Sequence, residues 1–140
     1  GTNVIPKKMS REELRAGYCQ VMKEINDPVQ YFDRADSLYL DPDFRFDRAQ
    51  QAYWKTHRMR GCAERVKTLV RCAVLYRRLM KTVKEPELRQ EYRKRLSKIW
   101  KVRRQPSALF IYLLKCAMHY HYLKIADQLE HKDMRMVNTF

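Results

Sequence analysis

Four histidines and four cysteines are the side chains in this sequence best suited to metal binding or nucleophilic chemistry. Their spacing argues against both. His119 and His121 are two residues apart, so on one helix they point about 200° from each other and cannot chelate one ion together. Metal pairs on a helix want spacings of three or four. His57 and His131 stand alone. Nucleophilic catalysis needs a nucleophile, a base and an orienting group, and no spacing here offers all three. Cys19, Cys62, Cys72 and Cys116 include no pair two or three residues apart, so no zinc or cluster motif is present. They read as reduced, mostly buried thiols. The carboxylates Asp33, Asp36, Asp41, Asp43 and Asp47 resemble a calcium loop only loosely. Pro42 and Phe44 interrupt them, and the glycine and terminal glutamate of an EF-hand are missing. Capping and solvation are the roles expected of them. Three widely separated glycines cannot form a phosphate-cradling loop.

What remains is charge. The chain carries 30 Lys and Arg against 16 Asp and Glu, a net +14. Residues 55–104 hold 18 of the basic groups and only 4 of the acidic ones, so the whole excess lies in one stretch. Within it, cations alternate with aromatics: Tyr76-Arg77-Arg78, Tyr92-Arg93-Lys94-Arg95, Trp100-Lys101. At helical spacing the aromatics belong to a core and the cations to a wet face. Arg77, Lys81, Arg93, Lys94, Lys98, Lys101 and Arg104 are therefore the candidate contacts to an anionic surface. Long basic side chains also cover neighbouring apolar surface, which suits an interfacial face. A nucleic-acid surface is the alternative. Its only support is the charge, since no base-reading motif is present.

These cations need helices to present them, and the sequence supplies the punctuation. Ser10 with Glu13 is a capping box, and Leu14, Tyr18, Val21, Met22 and Ile25 follow at helical spacing, predicting a helix over about 11–25. Asp27-Pro28 opens a second helix of about a dozen residues, with Phe32, Ala35, Leu38 and Tyr39 as its apolar face. A long pattern begins near Asp47. It runs through Ala49, Ala52, Tyr53 and Trp54, then Ala63, Val66, Val70, Ala73, Leu75, Leu79, Met80 and Val83. Gly61, costing about 1 kcal/mol in a helix interior, predicts a break between the halves. Glu85-Pro86 starts the next helix, whose apolar face is Leu88, Tyr92, Leu96, Ile99 and Trp100, with Arg95 off that face or at its margin. Gln105-Pro106-Ser107 opens the last, which runs to about Glu130 and contains the unbroken apolar run Ala108–Leu114. A membrane span needs about 20 such residues, and Lys115 interrupts this run. It reads as the central helix of a bundle.

The expected fold is all-α, a compact bundle of five or six helices. An extended lead-in over 1–9, a helical domain over 10–131 and a frayed tail over 132–140 complete the organisation. At 140 residues, one domain is the default, and 45% hydrophobic residues are enough for a core. Global disorder and a loop-rich β protein are excluded by that content and by only three Gly and five Pro. No signal peptide is read at the start, so a cytoplasmic location is expected, with attachment at the membrane periphery as the alternative within it.

The opening TNVIPKKMSREELRAGY, with Asp27-Pro28 and the pair Tyr31-Phe32, resembles a known module. It is similar to the C-terminal domain of unknown function on many cobalamin-binding-domain radical SAM proteins, hopanoid methylases among them. YRKRL at 92–96, the start Pro106-Ser107-Ala108-Leu109 and the HYHY run at 119–122 add weaker matches, so that the resemblance covers most of residues 2–126. It implies an upstream cobalamin domain and a radical SAM barrel in the same parent chain, using a 4Fe-4S cluster, S-adenosylmethionine and cobalamin. This sequence has no C-x-x-x-C-x-x-C triplet. The resemblance therefore implies a non-catalytic accessory domain that holds none of those cofactors itself, packs on the barrel and assists access of a large or lipid-like substrate. The rival is a free-standing basic helical module that binds nucleic acid.

Overall fold

The computed structural model describes residues 8–41, 43–44 and 48–131. Six helices follow one another: α1 (Arg11–Ile25), α2 (Pro28–Tyr39), α3 (Arg48–Thr56), α4 (Arg58–Thr82), α5 (Pro86–Arg103) and α6 (Pro106–His131). No strand occurs among the described residues, and the all-α bundle expected from the sequence is what forms. Residues 1–7 of the lead-in expected over 1–9, Asp47 and the tail over 132–140 lie outside the described residues.

Local chemistry places the helix starts. Ser10 Oγ accepts from Glu13 N–H at 3.1 Å while the Glu13 carboxylate accepts from Ser10 N–H at 2.6 Å, a complete capping box. Asp27 Oδ1 accepts from Gln30 N–H at 3.0 Å. Pro28, Pro86 and Pro106 each occupy the first helical position, where the missing N–H costs nothing.

α6 is the hub. It packs against α1, α2, α4 and α5, while α4 and α5 meet chiefly through it. The core lies where α2, α5 and α6 converge. Phe32, Tyr92, Ile99, Tyr112, Leu113 and Cys116 are buried there. Phe32 takes Tyr92 edge-on at 5.6 Å and stacks on Tyr112 at 5.9 Å between centroids. Fully burying a side chain of this size stabilises by roughly 1.5–3 kcal/mol, so this aromatic cluster ties the three helices together. Cys72, Leu79 and Val83 seal the α4 side.

Three expectations need correction, and the exposure of one apolar stripe is a further finding. The chain does not break at Gly61. It breaks at His57, between α3 and α4, and α4 runs on through Gly61. Gly61 instead permits a close approach, because a β-carbon there would lie 3.2 Å from Trp54 Cβ. The apolar stripe of α1 is not buried: Leu14, Tyr18, Val21 and Ile25 are all exposed, and α1 buries no residue. On α4, Val66 and Val70 are exposed, as is Trp100 on α5. Of the four free cysteines only Cys72 and Cys116 are buried, whereas Cys62 is exposed.

Candidate functional site

The candidate cations divide between two helices. Lys94, Lys101 and Arg104 recur along α5 and its cap on the side away from the buried stripe Leu88-Tyr92-Leu96-Ile99, Arg93 and Lys98 flank that stripe, and all five are exposed. Arg77 and Lys81 are exposed on the last turns of α4. Because α4 and α5 are joined mainly by way of α6, the helix packing does not itself unite the seven into one patch. Two of the α5 cations already have partners. Lys98 donates to Asp36 at 2.7 Å, and Lys94 approaches Glu91 at 4.0 Å. Arg104 ends α5 with φ 49°, in the left-handed region, and its N–H reaches the Trp100 carbonyl at 3.0 Å.

Arg95 does not belong to that surface. It is buried against α2, where its guanidinium donates to Asp36 at 2.9 Å, Asp33 at 2.8 Å and Glu91 at 2.6 Å. Tyr112 of α6 donates to the second oxygen of Asp36. Burial opposes ionisation of Asp36, but the hydrogen bonds from Lys98, Tyr112 and Arg95 outweigh it and hold its carboxyl below the usual range. Asp36 is thus not a solvated cap, whereas Asp33 stays exposed beside Arg95; of that carboxylate run, Asp41 turns the chain by accepting from Asp43 N–H at 2.8 Å. The signal for this network was present in the sequence. Asp36 falls one turn beyond Phe32 on the apolar face of α2, and Arg95 lies between Tyr92 and Leu96 on that of α5.

His119 is buried between two partners. Its Nε2 lies 3.0 Å from the Asn26 carbonyl and its Nδ1 2.7 Å from the Tyr92 hydroxyl. A carbonyl can only accept, so Nε2 carries the proton and Nδ1 accepts from Tyr92. Burial pushes its pKa down, against weaker opposing effects of Asn26 and Asp27. Burial also raises the Tyr92 hydroxyl and the Cys116 thiol. A thiol kept protonated is a poor nucleophile and a poor ligand. His121 is exposed.

A shallow cleft of about 510 Å³ opens beside this core, lined by Pro28, Glu85, Leu88, Glu91, Tyr120 and Lys124 among others. Lys124 closes one end with an ion pair to Glu85 at 2.8 Å, and Glu91 is held by Arg95. Among the described residues, no three His, Cys, Asp or Glu side chains converge as a metal site, so the thiols of this chain do not fit an iron–sulfur cluster, which takes several convergent cysteines. Among the same residues, no helix is long and apolar enough to cross a membrane.

What this arrangement offers is surface, both charged and apolar, around a core in which Asp36, Arg95 and His119 are each hydrogen-bonded. A family model described as a domain of unknown function, DUF4070, matches residues 1–134. No curated protein and no solved structure matches the chain.

Proposed function

The chain belongs to the DUF4070 family of domains of unknown function, and from that membership we propose that it is a non-catalytic accessory domain of a cobalamin-dependent radical SAM enzyme. In this reading it packs on the catalytic barrel of its parent and shapes the entry of a large or lipid-like substrate. The cluster, S-adenosylmethionine and cobalamin belong to the upstream domains, and the residues here bind none of them.

The observation that carries the proposal is apolar surface left in solvent. Leu14, Tyr18, Val21 and Ile25 line one side of α1 at 38–50% exposure. On α6, against which α1 packs, Leu114, Met118 and Tyr122 are 37–42% exposed. A self-sufficient monomer seldom leaves such stripes uncovered. The outward cations of α5, with Arg93, Lys94 and Lys101 foremost, are the groups offered to an anionic headgroup. Each such cation contributes about 1 kcal/mol near an anionic leaflet.

Two measurements test this. The reading frame that encodes the chain should carry a Cys-x-x-x-Cys-x-x-Cys triplet upstream. The separately purified upstream part should then form a one-to-one complex with this domain in sedimentation velocity, weakened about tenfold or more by Tyr18→Glu with Val21→Glu. A parent frame without the triplet, or an upstream part that ignores the domain, would overturn the proposal.

A further inference from the structure

α4 turns a second, separate apolar face outward. Met59, Cys62, Val66, Leu69, Ala73 and Tyr76 are spaced alternately by three and four residues, the repeat of a coiled-coil seam. All six are exposed, Met59 at 87% and Val66 at 55%. Val70 and Val74, at 57% and 51%, widen the stripe. Cys72 and Leu79, about a quarter turn round α4 from the centre of this seam, are buried in the core on the side that packs on α6. At about 1.5 Å per residue the seam is about 27 Å long, enough for a partner helix of several turns. Half of its side chains are small or β-branched, and Ala63 and Ala73 leave hollows between them. Such relief accepts the knobs of another helix.

The borders of the seam select the partner. Arg58 and Arg65 lie seven apart along one edge, and Arg60 and Lys67 seven apart along the other, with Arg77 and Lys81 at the far end. α4 contains eight Lys and Arg and a single acid, Glu64, which is bonded to Lys67 at 2.8 Å. A second copy would set two such helices against each other, cation on cation. A lipid surface would favour a broad face with Trp, Phe or Leu, and this seam offers one Leu and no Trp or Phe.

We propose that the outward face of α4 docks an amphipathic helix whose own seam is aliphatic and whose flanking positions are acidic. This deepens the accessory-domain reading and rests on it only for there being a partner domain; the partner's chemistry comes from α4 alone.

The test uses the whole chain and a fluorescein-labelled synthetic peptide of four heptads, Leu at both seam positions and Glu at the flanking ones. Glu repulsion keeps that peptide from pairing with itself. Anisotropy should show saturable one-to-one binding, with the peptide gaining helicity and alkylation of Cys62 slowing. The same peptide with Lys for Glu should bind at least about tenfold more weakly. Val66→Glu with Val70→Glu should weaken binding about tenfold or more, while Arg93→Glu with Lys94→Glu on α5 should leave it within about twofold. Circular dichroism melts check that both variants fold, which exposed positions favour. Equal loss in the two variants would reduce the effect to non-specific charge and overturn the proposal. So would dimerisation of the chain, or binding to phosphatidylglycerol vesicles, when either is abolished by the α4 variant. A complex with the upstream part that survives the α4 variant, with no peptide binding, would sink this inference and leave the accessory reading standing.

Discussion

Arg95 and Asp36 lie 59 residues apart in the chain, and their side chains meet at 2.9 Å in the interior, each 8% exposed. Two charges taken out of water are tolerated because each has further partners: Lys98 and Tyr112 on Asp36, Asp33 and Glu91 on Arg95. The pair fixes the register of α2 against α5, since a turn of slippage would strand a buried charge. Arg95→Met should therefore destabilise by roughly 3 kcal/mol, the cost of leaving one partner of a buried pair behind. Asp36→Asn in the same chain should recover part of that loss. Urea denaturation of the two single variants and the double decides it, and strictly additive losses would show that the pair is not coupled.

Acid should weaken the fold in two stages. His119 is held neutral in the folded state, with its pKa lowered by burial. The unfolded chain takes up a proton near pH 6.5 and the folded one does not, so stability falls as pH drops below that value, by at most about 1.4 kcal/mol per pH unit. The loss stops once the folded pKa is passed. Asp36, lowered in the folded state, contributes stability present above the unfolded carboxylate range and lost as pH falls through its folded pKa. Denaturant midpoints from pH 7.5 down to 3 should show both declines, and His119→Gln should flatten the first.

Tyr92→Phe removes the donor to His119 Nδ1 and leaves that nitrogen buried without its hydrogen bond. The expected cost is about 1–3 kcal/mol. A thermal melt unchanged from the parent chain would show that the imidazole finds another partner.

Ser10→Ala deletes one half of the capping box. An N-cap of this type contributes about 1 kcal/mol to its helix. Because α1 buries no side chain, the loss should appear as opening of α1 alone. Amide hydrogen exchange in the first turns should accelerate severalfold, with little change in the global melting temperature. A drop in the global transition as large as the local one would mean that α1 unfolds together with the core.

Arg104 takes a left-handed conformation, φ 49°, that costs a residue with a β-carbon about 1 kcal/mol. Arg104→Gly should raise stability by up to that amount, and Arg104→Val should lower it. The melting temperatures of the two variants should move in opposite directions.

The starts of α1, α2, α5 and α6 were determined by the sequence alone because their causes are local, whereas the start of α4 after His57 was not. Ser10 and Glu13 bond within one turn, and Pro28, Pro86 and Pro106 open helices where a proline lacks nothing it needs. The all-α class follows from the same punctuation and periodicity. Which apolar stripe is buried was not legible. Leu14, Tyr18, Val21 and Ile25 of α1 have the periodicity of Leu88, Tyr92, Leu96 and Ile99 of α5, yet only the second set is buried, where α2 and α6 close on it. Periodicity identifies a face; it does not say whether a neighbour arrives. Gly61 shows the same division. Its helix propensity argued for a break, but Trp54 packs on it and α4 continues, because tertiary contact outweighs about 1 kcal/mol of local preference. The pairing of Asp36 with Arg95 likewise belongs to the tertiary structure. From the sequence Asp36 read as a solvated carboxylate and Arg95 as a cation at the margin of an apolar face, and only the packing of α2 against α5 made them partners.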